Sequence, residues 1–190
     1  MLGPTNAELL RLQTVAREIA GSSLFIADSF GHSLEALREI AIRYKLEKNV
    51  GLIAIDRFQL IRSDSPQALL SPKREAAEVS EAIKTLAEDL KIPVLVIAEL
   101  SRKLKSHRRD SHIPRLSHLQ HYREIERYAD IIGLLNQPSC YGKDHEDWPT
   151  LKKEFELTIC KNQDRKIGGI SGLLFKEDLM RFENIETNSY

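Results

Sequence analysis

Val50-Gly51-Leu52-Ile53-Ala54-Ile55-Asp56 is an unbroken apolar run that ends on a carboxylate, and its surroundings make it a strand of an α/β sheet. Before it, Leu34, Leu37, Ile40, Ala41 and Tyr44 recur at helical spacing behind Ser33, a residue suited to cap a helix. After it, Val79, Ile83, Leu86 and Leu90 step by four, three and four, which predicts a long amphipathic helix closed by Pro93. Val94-Leu95-Val96-Ile97-Ala98-Glu99 then reads as a strand covered on both faces. Upstream, Leu24-Phe25-Ile26-Ala27-Asp28 reads as a further buried strand, followed by a turn at Ser29-Phe30-Gly31-His32. Three strands alternating with helices predict a parallel sheet with right-handed crossovers, in which ligands sit beyond the carboxyl ends of the strands. Asp28, Asp56 and Glu99 all fall at such ends.

The outer parts of the chain read differently. Leu9, Leu10, Leu12, Val15, Ala16 and Ile19 predict a leading helix from about Asn6 to Ala20, with Gly21 placed to end it. Ile131–Leu135, Phe155–Cys160, Gly169–Phe175 and Met180–Ile185 read as strands with little helix between them, so the sheet is expected to finish in antiparallel strands. The expected organisation is a leading helix over 1–22, a βα core over 24–136, a polar, turn-rich mobile loop over 137–150, and closing strands over 151–186.

Composition narrows the function classes. The 190 residues are 42% hydrophobic and 29% charged, ordinary values for a globular domain. Lys plus Arg equals Asp plus Glu at 28 each, so any attraction to nucleic acid must be local. It is local: Arg102, Lys103, Lys105, Arg108, Arg109, Arg115 and Arg123 face one acid, Asp110, across a single segment, a cluster suited to phosphate backbones or to a solvated loop. His107, His112, His118 and His121 share that segment, with Cys140 downstream, but their spacing matches no usual zinc pattern and they are read as loop histidines. Two cysteines and a start without a basic-then-apolar leader point to a reducing cytoplasm, and no apolar run is long enough for a bilayer. Neither Gly-x-Ser-x-Gly nor a cysteine nucleophile signature occurs.

Asp56 stands where P-loop ATPases hold the magnesium ion on nucleotide phosphates, although many strands end in an Asp that only caps a turn. Glu99 has the same two readings. The sequence contains no Gly-x-x-x-x-Gly-Lys-Ser/Thr: its one Gly-Lys pair, Gly142-Lys143, is followed by Asp144. Without those backbone amides and their Lys, tight binding of a nucleoside triphosphate by this chain alone is not expected.

Asp56-Arg57-Phe58-Gln59-Leu60 resembles the Asp-Tyr-Leu-Gln-Leu signature of DnaB-type replicative helicases. The resemblance continues in order. Glu78, Lys84, Leu86, Ala87 and Leu90 to Val94 look like the helix and strand that follow the signature, and Ala98-Glu99-Leu100-Ser101-Arg102 looks like Ser-Gln-Leu-Asn-Arg. Leu116-Ser117-His118-Leu119, Ile125-Glu126 and Ala129-Asp130 fit the DNA-loop region, Cys160-Lys161-Asn162-Gln163-Asp164-Arg165-Lys166-Ile167-Gly168 is similar to Ala-Lys-Gln-Arg-Asn-Gly-Pro-x-Gly, and Phe182-Glu183 matches the closing strand.

This resemblance implies a partial RecA-like three-layer α/β/α sandwich, ATP and magnesium as cofactors, and helicase subunits in a hexameric ring around single-stranded DNA as partners. It makes Asp56 the magnesium-side acid, puts Gln59 beside the nucleotide near Glu99, and has Arg102 complete that motif. It implies that Ser117, Gln120, His121 and Arg123 belong to the loop that grips DNA phosphates, with Arg108, Arg109 and Arg115 adding charge. Lys161 corresponds to a Lys that reaches a neighbouring subunit's nucleotide site. Two departures bear on activity. Gln120-His121-Tyr122-Arg123 replaces Arg-Glu-Ser-Gly, moving the positive charge by three positions, and Gln163 occupies the arginine-finger position, with Arg165 nearby but out of register. The P-loop and the strand with the catalytic Glu are expected upstream of this region. An alternative expectation is a catalytically inactive DNA-binding or helicase-docking module.

Overall fold

The computed structural model describes residues 5–28, 33–100, 114–118, 123–137, 154–163, 167–168 and 170–185. Its centre is a parallel pair, β1 (Ile53–Asp56) and β2 (Val94–Ile97), in a register that sets Ile53 beside Val94 and Asp56 beside Ile97. Between them the chain makes a short 3-10 turn at Phe58–Leu60 and crosses through α3 (Pro72–Leu90). Ser71 caps α3 by accepting from the Arg74 amide, Pro72 starts it, and Lys91 ends it in the left-handed region at φ 52. Its buried stripe is Ala76, Val79, Ser80, Ile83 and Leu86, so three of the four residues predicted from periodicity face the core and Leu90 is half-buried. α2 (Leu34–Lys48) is capped by Ser33 as expected and ends on Asn49 at φ 49, a residue type that tolerates this conformation.

Leu37 of α2, Ile55 of β1, Phe58 and Ile61 of the turn, and Ala76, Val79 and Ile83 of α3 form one core cluster. Ile53, Val94, Val96 and Ile125 pack at its margin. The cover lies on one face of the pair. On the other face Ala54 and Asp56 are exposed, with Leu95 at 54% and Ile97 at 48%, which corrects the expectation that Val94–Glu99 is covered on both faces. An apolar run records that both faces tolerate burial; which face is covered depends on where the helices pack.

Leu24–Asp28 is also corrected. It forms no strand, and Leu24 and Ile26 are 65% and 80% exposed. A strand is made by its neighbour's hydrogen bonds, and no described strand pairs with this segment. Phe25 instead stacks on Tyr44 of α2, with ring centroids 5.5 Å apart and the Lys48 ammonium 6.0 Å from the Phe25 centroid. The turn expected at 29–32 lies outside the described residues. The leading helix, α1 (Asn6–Ala20), has a capping box in which Thr5 and Glu8 satisfy each other, and Gly21 caps its end, yet it buries no residue.

The second sheet is antiparallel, in the order β3 (Ile131–Asn136), β4 (Glu154–Asn162), β5 (Ile170–Lys176), β6 (Arg181–Asn184). The register shifts between Ile132 and Gly133, where a Cβ on Gly133 would lie 3.1 Å from Leu157 Cδ1. Phe155, Phe175 and Phe182 pack together with centroids 4.9 to 6.1 Å apart. Burial pushes the Cys160 thiol pKa up. The loop expected at 137–150 lies outside the described residues beyond Gln137. α4 (Arg123–Tyr128) joins this sheet to the core, since Ile125 packs on the core cluster and Lys84 of α3 bonds Asp130 at 2.7 and 2.9 Å just past α4. No helix among the described residues is long and apolar enough to cross a membrane.

Candidate functional site

The carboxyl ends of β1 and β2 carry Asp56, Arg57, Gln59 and Glu99, of which the last three are joined by hydrogen bonds. Asp56 is the last residue of β1, and its peptide bond to Arg57 is cis. The chain then turns through Phe58–Leu60, and burial of Phe58 in the core anchors the turn, so that Gln59 can reach across to the end of β2. Gln59 binds the Glu99 backbone with both ends of its amide: Nε2 donates to the Glu99 carbonyl at 2.8 Å, and Oε1 accepts from the Glu99 amide at 3.2 Å. The Arg57 guanidinium donates to Glu99 Oε1 at 2.6 Å. Three hydrogen bonds therefore fix Glu99, and none is local in sequence.

Asp56 is the group left available. Its carboxylate is exposed, and no side chain among the described residues bonds to it. Magnesium seeks hard oxygen ligands and keeps most of its waters, so one accessible carboxylate at a strand end fits one coordination position. Asp56 would hold that ion. For a triphosphate the fit is poorer, because this sequence has no Gly-x-x-x-x-Gly-Lys-Ser/Thr cradle. Among the described residues no group of three or more His, Cys, Asp or Glu side chains is placed to hold a metal by itself.

Gln59 and Glu99 are thus in contact, with Asp56 at the end of the neighbouring strand, and Arg57 joins them although its sequence position carries no signal of its own. The signal was an Arg directly after one strand-end acid and a Glu just past the end of the next parallel strand.

The residues expected to contact DNA are only partly described. Arg115, Ser117 and Arg123 are exposed, the first two at a turn closed by the His118 amide on the Arg115 carbonyl at 2.9 Å and the Arg115 amide on His118 Nδ1 at 3.0 Å. Arg102, Arg108, Arg109, Gln120 and His121 lie outside the described residues, as do His107, His112 and Cys140.

Of the residues expected at a subunit interface, Lys161 is half-buried and donates to the Glu126 carbonyl of α4 at 2.6 Å, in the manner of a helix C-terminal cap. Gln163 is exposed at the end of β4, with its amide on the Asp130 carbonyl at 3.1 Å, and Arg165 lies outside the described residues. No hydrogen bond or ion pair among the described residues joins Lys161 or Gln163 to the Asp56 cluster.

Comparison with known proteins places this geometry. The DnaB-like helicase C-terminal domain family matches residues 3–184. The replicative DNA helicase DnaC of Bacillus subtilis (strain 168) is 29% identical over 195 residues, covering 97% of this chain and 41% of that protein. The replicative DNA helicase DnaB of Pasteurella multocida (strain Pm70) is 33% identical over 164 residues, covering 86% of this chain and 33% of that protein. Among solved structures, an ATPase domain superposes with a TM-score of 0.80 at 28% identity, covering 94% of this chain and 61% of that one. A DnaB-like replicative helicase, described with its interactions with primase, gives the same TM-score and identity, covering 96% of this chain and 42% of that one. The fold is therefore that of a RecA-like helicase ATPase domain, with a parallel pair and antiparallel strands, and the chain spans about two-fifths of the length of the first of these curated relatives.

Proposed function

The chain belongs to the DnaB-like helicase C-terminal domain family, and from that premise we propose that it is the C-terminal part of a replicative helicase motor, supplying magnesium-side and DNA-side elements to ATP-dependent unwinding in a ring. The observation that carries this is the cluster at the carboxyl ends of β1 and β2, where Asp56 is accessible and Glu99 is fixed by Arg57 and Gln59. Magnesium, when bound with the nucleotide, neutralises phosphate charge. Asp56 orients that ion, and Gln59 keeps the ends of the two strands in register so that Asp56 keeps its position relative to Glu99. Arg115, Ser117 and Arg123, exposed on the turn and at the start of α4, face solvent as a phosphate-contacting surface requires.

Co-expression with a P-loop-bearing helicase subunit tests the motor. A complex is expected, with a change in DNA-stimulated ATP hydrolysis that Asp56→Ala removes. Absence of both the complex and the rate change would dismiss the proposal. The DNA surface is tested separately: Arg108, Arg109, Arg115 and Arg123 replaced together by Ala should weaken single-strand binding and flatten its salt dependence, by roughly 0.7 in the log–log slope for each phosphate that is no longer neutralised. Unchanged binding would mark the segment as a solvated loop.

A second reading, an inactive DNA-binding or helicase-docking module, is favoured by Gln163 at the finger position and by Lys161 being held within its own chain. A neutral amide cannot balance charge developing on a transferring phosphoryl group. ATP hydrolysis by the purified chain, abolished by Asp56→Ala, would refute this second reading.

A further inference from the structure

Arg57 and Glu99 are both departures from the signatures that this chain otherwise resembles, standing where those have Tyr and Gln. The structure puts these two positions in contact, 42 residues apart in sequence and 2.6 Å apart in space. Their charges are complementary, so either change alone would leave an unbalanced charge beside Asp56. The pair is exposed, at 44% and 57%, and an ion pair in that setting contributes little to stability. Its consequence is therefore local. Asp56 lies beside Ile97 in the register, and Glu99 follows two residues on, so two carboxylates stand at neighbouring strand ends. Gln59 already holds the Glu99 backbone at both its amide and its carbonyl, which leaves only the side chain to be directed.

We propose that Arg57 is a positioning residue that withholds the Glu99 carboxylate from a divalent cation at Asp56. The cation then meets one free carboxylate and keeps more of its own waters. This rests on the reading of Asp56 as the magnesium-side acid.

The test uses the whole chain and Mn2+ alone, with free Mn2+ read by electron paramagnetic resonance and the folding of each variant checked by thermal melting. Arg57→Gln should tighten Mn2+ binding roughly tenfold, because affinity for such ions rises with the number of charged oxygen ligands. Arg57→Tyr should give the same gain and serves if the Gln variant does not fold. Adding Glu99→Gln should abolish the gain, and Arg57→Lys should keep the original affinity. A merely structural Arg57 would lower the melting temperature and leave Mn2+ affinity unmoved. No gain on removing Arg57, or a gain that survives Glu99→Gln, would overturn the proposal. Asp56→Asn separates the two levels. If it lowers affinity while Arg57→Gln gives no gain, the pair fails alone; if it changes nothing in either background, the reading of Asp56 fails and takes the pair with it.

Discussion

Helices α1 and α3 carry the same kind of apolar periodicity and meet opposite fates. α3 buries Ala76, Val79, Ile83 and Leu86, the first three in one cluster with Ile55 of β1 and Leu37 of α2, whereas α1 leaves Leu9, Leu10, Leu12, Val15 and Ile19 between 42% and 65% exposed. Both are well capped, α1 by its Thr5–Glu8 box and α3 by Ser71 and Pro72. Capping and periodicity therefore decide that a helix forms and which face seeks cover, and packing decides how much that face contributes. Burying one Leu or Ile side chain contributes about 1.5–3 kcal/mol, a gain α3 makes several times over and α1 hardly at all.

Substitutions in matched pairs sharpen this contrast. The largest effect is expected in the core: Ile83→Ala should destabilise the fold by about 2–5 kcal/mol in chemical denaturation, through lost burial and the cavity left behind. Leu12→Ala in α1 should stay within about 0.5 kcal/mol, as surface changes usually do. An equal loss at both positions would break the comparison. Hydrogen exchange gives a second view, since α3 amides should exchange only at the cost of global opening and α1 amides should exchange through local fraying. Removing the caps comes next. Ser71→Ala should cost about 1 kcal/mol of global stability, while Thr5→Ala should lower the helical circular dichroism of α1 and leave the denaturation midpoint unmoved.

The smallest effect concerns the tie between α3 and the second sheet. The hydrogen bonds from Lys84 to Asp130 raise the Lys84 pKa above its ordinary value. A raised folded-state pKa means that this contribution is fully present below the ordinary lysine range and is lost as pH rises through the folded value. Lys84 and Asp130 are 30% and 53% exposed, so Asp130→Asn should cost no more than about 1 kcal/mol at neutral pH, with the difference from the original chain vanishing in strongly alkaline solution. A difference that grew with pH would reverse the assignment.

The site divides in the same way as the helices. Asp56, Gln59 and Glu99 stand out in the sequence because strand-end polar residues contrast with apolar runs, and the ordered signatures point to the ends of β1 and β2. Arg57 carries no signal of its own in the sequence, because an Arg after an Asp is unremarkable until its partner, 42 residues away, is known. The family pattern singles out Lys161, but its bond to the Glu126 carbonyl depends on α4 ending beside β4, which no local pattern encodes. Leu24–Asp28 departs from its expected strand for a related reason: its composition suits a strand, and composition carries no information about a hydrogen-bonding neighbour.

By itself the sequence determined the local features of this protein: the bounds of α1, the cap that starts α2, the apolar stripe of α3, the alternation that makes β1 and β2 parallel, the apolar spacing of β3 to β6, and the signatures of a helicase domain. These follow from backbone propensity, capping and periodicity, which act over a few residues. Only the tertiary structure decided which apolar faces are covered, that Arg57 and Gln59 converge on Glu99, and that Asp56 is left accessible. Those outcomes depend on contacts between residues tens of positions apart, where the chain's path, not the chemistry of any one segment, sets the distance.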